Sequence, residues 1–238
     1  MNLSKRSYEQ ELLDDINIPF EAIRQNMFEL DTINTYLGGH RITLKGVKLL
    51  TGKQKVVHVC EIGCGGGDNL AAITRWAHNN KIELEITGID INKNCIDVAS
   101  KRQDIGSKAN WITSDYRNVN FSRYPDIIFS SLFCHHFTNE SLVEQLQWMY
   151  RNSTKGFFIN DLHRHWLAYY SIKILTQLFS KSYLVKNDAP LSVRRGFKKK
   201  EWMNLLAKAS MHAEVSWEWA FRYLILSNNT IEQKRSYI

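Results

Sequence analysis

The sequence predicts an α/β protein built on an open, doubly wound sheet, and three observations predict it. The stretch Val56 to Leu70, VVHVCEIGCGGGDNL, runs from β-branched apolar residues into four glycines and then into helix-forming residues. Strand, glycine turn and helix in that order open a nucleotide-binding βαβ unit. Four further short apolar segments follow it, separated by stretches with helical spacing. A length of 238 residues is that of one large domain able to bury its own core.

Residues 8–50 read as a helical extension, placing a cap over 1–52 ahead of the sheet domain, 53–238. Pro19 suits a first helical turn, and Phe20, Ile23, Met27, Leu30, Ile33 and Leu37 recur at a spacing near 3.6. Gly38-Gly39 ends that run. The first strand starts at Val56. Helices are expected over 68–77, where Asp68-Asn69 supplies caps, over 92–101, and over 139–152, where Leu142, Val143, Leu146 and Met149 form a sheet-covering stripe. Residues 163–180 read as an apolar, aromatic helix, and 181–200 hold seven basic residues against one acid, Asp188. Together, 162–200 have the character of an inserted, mobile lid. The stretch 215–227 is aromatic and β-prone.

The glycine turn narrows the ligand. G-x-G-x-x-G from Gly63 requires glycine where Asp68 stands, and no lysine follows to make a phosphate-binding P-loop. What remains is E-x-G-x-G-x-G, from Glu61 to Gly67. It resembles the first motif of class I S-adenosylmethionine-dependent methyltransferases, and later motifs of that family follow in order. They are Leu84–Asp90 (LEITGID), Trp111–Tyr116 (WITSDY), Asp126–Phe137 (DIIFSSLFCHHF) and Gly156–Asp161 (GFFIND). The resemblance covers about residues 55–161.

It implies a Rossmann-like, seven-stranded sheet whose last strand is antiparallel. It also implies binding of S-adenosylmethionine, with S-adenosylhomocysteine as product, by Glu61, Gly63, Cys64, Gly65, Gly67, Asp90, Ile91, Ser114, Asp115, Tyr116 and Ser130. Asp90 would accept both ribose hydroxyls, Asp115 would face the adenine amino group, and Glu61 would orient the amino acid end. The N-terminal helices would close the substrate site, which makes Tyr36, His40 and Arg41 candidates for lining it. Methyl transfer to oxygen gains from a base titrating near neutrality, and His135, His136 and His163 follow the fourth and fifth strands.

Absent patterns narrow the acceptor. After the fourth strand stand Ser130-Ser131-Leu132-Phe133, not the [DNS]-P-P-[YFW] of enzymes that methylate nucleobases or glutamine. Cys134 follows Phe, not the Pro that RNA cytosine-carbon enzymes require, and no double-glutamate loop of protein arginine enzymes occurs. Asn160-Asp161 reverses the Asp-Asn pair of catechol enzymes, so no metal is expected. Cys60, Cys64, Cys95 and Cys134 form no C-x-x-C pair, which suggests a reducing compartment. With no apolar leader or span, a cytosolic chain is expected, monomeric or homodimeric. A charge of +7 is modest at this length, so nucleic acid is not the expected partner, whereas 181–200 offers peripheral contact with an anionic membrane. The leading expectation is O-methylation of a hydrophobic small molecule, phenolic or polyketide-like, such as a secondary metabolite. C-methylation of a quinone precursor is the alternative, and a catalytically inactive fold that binds a partner is the non-enzyme one.

Overall fold

The computed structural model describes residues 3–15, 17–105 and 109–229. The end of the expected sheet domain, 230–238, lies outside them. Seven strands form one sheet: β1 (Val56–Ile62), β2 (Glu83–Asp90), β3 (Ala109–Thr113), β4 (Ile127–Ser131), β5 (Gly156–Leu162), β6 (Glu214–Glu218) and β7 (Arg222–Asn228). Their order is β3-β2-β1-β4-β5-β7-β6. β7 runs antiparallel to both neighbours, and every other pairing is parallel. The expected architecture is therefore present, and the strand order reverses between β1 and β4. Ligands of such sheets sit beyond the carboxyl ends of the strands at that reversal.

Eight helices accompany the sheet among the described residues: α1 (Phe20–Tyr36), α2 (Gly39–Thr51), α3 (Asp68–Asn79), α4 (Lys93–Ser100), α5 (Asn139–Asn152), α6 (Trp166–Phe179), α7 (Tyr183–Arg195) and α8 (Lys199–Lys208). Both sheet faces are covered. Ile42, Val47 and Leu50 of α2 join Leu70 and Ile73 of α3 on one face. Leu142, Leu146 and Met149 of α5 join Trp202, Leu205 and Leu206 of α8 on the other. Removing these side chains from water supplies roughly 1.5–3 kcal/mol each.

Two expectations change. Gly38-Gly39 ends α1 as foreseen, yet Gly39 also starts α2, which packs on the sheet instead of extending the cap. The approach is close enough that a Cβ on Gly46 would meet the Phe158 ring at 2.7 Å. Residues 181–200 are also more than a basic run. They fold into α7 and the start of α8, with Leu184, Val185, Leu191 and Val193 buried. Arg195 is buried, donating to the carbonyls of His135, Glu9 and His136 at 3.1, 2.8 and 3.1 Å, and Arg194 pairs with Glu9 at 2.9 Å. Arg194 and Arg195 are thus engaged within the protein, while Lys181, Lys198, Lys199 and Lys200 are exposed. No helix among the described residues is long and apolar enough to cross a membrane.

Candidate active site

Beyond β1 the chain turns through Gly63, Gly65 and Gly67, at φ +66°, +51° and +74°. Non-glycine residues rarely adopt this region. A Cβ on Gly63 would also collide with the Phe133 ring. Asp90, at the tip of β2, ties the loop down: Oδ2 accepts from Gly65 N at 2.9 Å and Oδ1 from Asn92 N at 2.8 Å. A carboxylate offers about four acceptor sites, so each oxygen keeps one for a ligand. Burial pushes Asp90 above its ordinary pKa, against the pull of those N–H groups. Beside it the apolar side chain of Ile91 is 73% exposed.

Glu61 is fully enclosed. Its Oε1 accepts from Asn69 Nδ2 at 3.0 Å, while Oε2 has no hydrogen-bond partner. Burial, and then the charge of Asp68 and Asp90, push its pKa well up. Such a group gains most from a cationic ligand. Asp68, opening α3, accepts from Asn34 Nδ2 at 2.7 Å and pairs with His40 Nε2 at 2.8 Å. Burial works to raise Asp68, but these contacts outweigh it and hold the carboxyl below its ordinary value. His40 therefore braces the loop helix instead of lining a substrate site. Tyr36 lies exposed on α1, and the exposed Arg41 lies beside Gly38.

The remaining cofactor candidates scatter more. Cys64 is buried behind the loop with its thiol pushed well up by burial. Ser114 Oγ bonds to the Asp115 carbonyl at 3.0 Å. Asp115 caps the short turn 116–118 and holds Arg117, accepting from Nη2 at 2.6 Å. Tyr116 is buried edge-on against Phe133, Phe137 and Trp148, at ring distances of 6.3, 6.5 and 5.0 Å. Ser130 lies wholly buried in β4, 3.5 Å from the Cys134 sulfur.

A cavity of about 310 Å³ lies on the other side of the turn after β4. Its walls are mainly aliphatic, from α1, α6, α7 and the β6–β7 turn, and one end carries Glu11, His135 and His136. Leu132, which leads into that end, holds a left-handed φ of +52°, a strained state for a leucine. Arg222 closes another wall, donating to Asn34 Oδ1 at 2.8 Å while its Nη1 has no partner, and burial pulls its pKa down to about 10.

The three histidines separate. His135 is 2% exposed, with Nδ1 2.8 Å from Asp161 Oδ1 and Nε2 3.5 Å from Glu11 Oε1. Burial works to lower its pKa, but Asp161 and Glu11 outweigh it and lift the ring to about 9. Both ring nitrogens of His135 thus face carboxylates, which favours the imidazolium and engages both lone-pair positions. His163 does not line the cavity. Its Nδ1 accepts from the Trp217 indole N–H at 3.2 Å, so its ring proton is on Nε2 and no lone pair is left for a substrate. Burial and then the His165 and Arg164 charges lower it to about 4. His136 does line the cavity, with Nδ1 3.1 Å from Asp14 Oδ1. Its Nε2 lies 3.7 Å from Glu11 Oε2, so the ring stands between two carboxylates.

Glu11, Asp14, Asp161 and Arg222 were not singled out from sequence, although the acidic run Glu11-Leu12-Leu13-Asp14-Asp15 is visible there. Glu11, His135 and His136 also bring one ligand atom each within 4.8 Å of one another, as do Asp31, His40 and Asp68. In the first group His135 is already charge-matched by Asp161 and Glu11. In the second, Asp31 accepts from Arg102 at 3.0 Å and Asp68 from Asn34. Both groups are ion-paired as they stand.

The family model described as "Methyltransferase domain" matches residues 59–156. No curated protein sequence matches the chain. Among solved structures, the plantazolicin methyltransferase BpumL, in complex with a monoazolic desmethylPZN analog and SAH, is 22% identical with a TM-score of 0.61, over 83% of this chain and 74% of that one. Human N-acetylserotonin methyltransferase with SAM is 16% identical with a TM-score of 0.64, over 92% of this chain but only 59% of that one. Magnesium protoporphyrin IX methyltransferase from Synechocystis PCC 6803 with bound SAM is 11% identical with a TM-score of 0.54, over 90% and 99%. The glycine loop anchored on Asp90, the sheet order and the methyltransferase-domain match over residues 59–156 lead to one conclusion: the chain has the fold of the class I, S-adenosylmethionine-dependent methyltransferases it resembles.

Proposed function

We propose that this protein transfers the methyl group of S-adenosylmethionine to an oxygen of a hydrophobic small molecule, phenolic or polyketide-like. One observation carries the reading: the turn 132–136 touches both halves of the site. Phe133 packs on the glycine loop at Gly63, while Leu132, His135 and His136 line the aliphatic cavity. Methyl transfer needs donor and acceptor held in line about 3 Å apart, and orientation of this kind supplies roughly 7–11 kcal/mol. The residues present fit the donor. The glycine cradle admits no side chain, Asp90 has acceptor capacity left for the ribose hydroxyls, and the unpartnered Glu61 oxygen suits a cation. The neighbouring structures crystallised with SAM or SAH support the same cofactor.

When bound, S-adenosylmethionine supplies an electrophilic methyl on a sulfonium. The protein's own part is then to orient and to move a proton. The aliphatic walls exclude water from the acceptor, His136 takes the acceptor proton at Nε2, and Asp14 holds that imidazole as a triad carboxylate would. His135, held between Asp161 and Glu11, keeps the turn that carries His136 in place. The cap formed by the N-terminal segment and α1, with α6 and α7, sets acceptor choice.

Incubating the protein with labelled cofactor and a panel of phenols tests this reading, with calorimetry against S-adenosylhomocysteine alongside. Micromolar-scale binding and label transfer are expected, whereas tight NADH binding with none of the methyl donor would sink it. His136→Ala should lower kcat about 10²-fold, the low end for general-base catalysis because Glu11 and Asp14 remain, with cofactor affinity unchanged. His163→Ala should keep near wild-type turnover. Equal losses in the two variants would move the base elsewhere.

A further inference from the structure

The acceptor cavity has a larger neighbour of about 530 Å³, formed between α1 and α6. The two share Ile33, Leu37, Ile172 and Leu175, four aliphatic side chains with no charge among them. We propose that the acceptor is an amphiphile, a hydroxylated ring bearing a linear hydrocarbon chain. Its head lies against His136, and its chain passes the aliphatic threshold into the groove between the two helices. This rests on the reading of the inner cavity as the acceptor site and adds the substrate's shape to it.

Glu11, His135 and His136 stand together in the inner cavity, the threshold is aliphatic, and the outer groove is walled by Phe28, Ile172 and Phe179, with Glu29 and Lys181 as its charged residues. A ligand whose polar head lies by the histidines and whose chain crosses the threshold fits this lining. The groove is also linear. Phe28, Thr32 and Tyr36 follow one another along α1, a wall of about 12 Å at the helical rise, and Ile172, Leu175 and Phe179, three and four residues apart, line α6 over about 10 Å. Phe28, Tyr36 and Phe179 are 69%, 84% and 78% exposed, and a contiguous apolar surface of this kind marks a binding site.

The one carboxylate in the groove does not call for a polar partner. Glu29 already accepts from Gln25 Nε2 at 2.7 Å, from the backbone N–H groups of Lys181 and Ser182 at 2.9 and 3.0 Å, and from the Ser180 hydroxyl. It ties α1 to the end of α6, which holds the groove's two walls at fixed separation.

The test is calorimetry of 4-alkylphenols of increasing chain length against the protein saturated with S-adenosylhomocysteine, so that no turnover is needed. Affinity should rise about fourfold per added methylene until the groove is filled, then level off. Thr32→Lys and Phe179→Asp, both at exposed groove positions outside the inner cavity, should abolish that rise while leaving cofactor binding and phenol turnover at wild-type levels. Affinity independent of chain length, with cofactor binding intact, would overturn the proposal and leave the methyltransferase reading standing. A sedimentation experiment that found the face buried in a dimer, or vesicle flotation that both variants abolished, would overturn it equally. Loss of cofactor binding itself would instead count against the proposed function.

Discussion

Asp161→Ala should destabilise the protein by about 3–5 kcal/mol, because it leaves the buried His135 imidazolium without its closest counter-charge. Asp161 is fully buried and accepts from His135 Nδ1, His135 N and Leu162 N at 2.8, 3.2 and 2.7 Å. At roughly 2–4 °C per kcal/mol for a chain of this size, thermal unfolding should show a drop of about 6–20 °C. The effect should depend on pH with a definite sign. Raising His135 from its usual 6.5 to about 9 means that its stabilisation is complete below 6.5 and lost as pH climbs through about 9. For Asp161 and Glu11, whose folded pKa values lie below their ordinary ones, stabilisation is present above those ordinary values and lost as pH falls through the lowered ones. Wild-type protein, kept metal-free with chelator, should therefore lose stability between pH 7 and 10, and Asp161→Ala should lose much less there. A variant melting within 2 °C of wild type, about the shift from 1 kcal/mol, would show the pair to be dispensable.

Asp90→Ala should weaken S-adenosylmethionine and S-adenosylhomocysteine by about 10²–10⁴-fold. Two hydrogen bonds from ligand hydroxyls to a charged group are worth roughly 1.5–3 kcal/mol each, and both go together. The same substitution frees Gly65 N and Asn92 N, so the loop also loses its anchor. Asp90→Asn, which keeps one acceptor oxygen, should fall between the two. Calorimetry measures the loss, and a far-UV spectrum confirms that the sheet survives. Affinity within threefold of wild type would mean that the ribose is held elsewhere.

Local demands were legible in the sequence and distant ones were not. Gly63 to Gly67 announce a backbone that turns sharply, Asp90 announces a strand tip, and α5 emerged with the boundaries its apolar stripe gave, Asn139–Asn152. These readings need only neighbours along the chain. The character of His135 depends on Asp161 and Glu11, which are 26 and 124 positions away and meet it only in the folded state. The same holds for His136 with Asp14 and for Arg222 with Asn34, separated by 122 and 188 positions. The basic composition of 181–200 did not tell its arginines from its lysines: Arg195 donates to three carbonyls inside the protein, whereas Lys181, Lys198, Lys199 and Lys200 face solvent.

The N-terminal segment that supplies Glu11 and Asp14 has a further consequence, for the order of assembly. Arg6 Nε donates to Arg195 O at 2.9 Å, Ser192 Oγ to Glu11 at 2.8 Å, and Arg164 to the carbonyls of Leu3 and Ser4 at 3.1 and 3.3 Å. Residues 3–14 thus have their partners among residues 135–195. They must wait, undocked, while β1 to β4 and the glycine loop are made, since contacts this distant in sequence carry the largest loop-closure entropy. A nascent chain ending near Leu162 would hold the donor cradle with no acceptor cavity beside it. The cavity gains its inner wall only when α7 has been synthesised and the waiting segment closes over it.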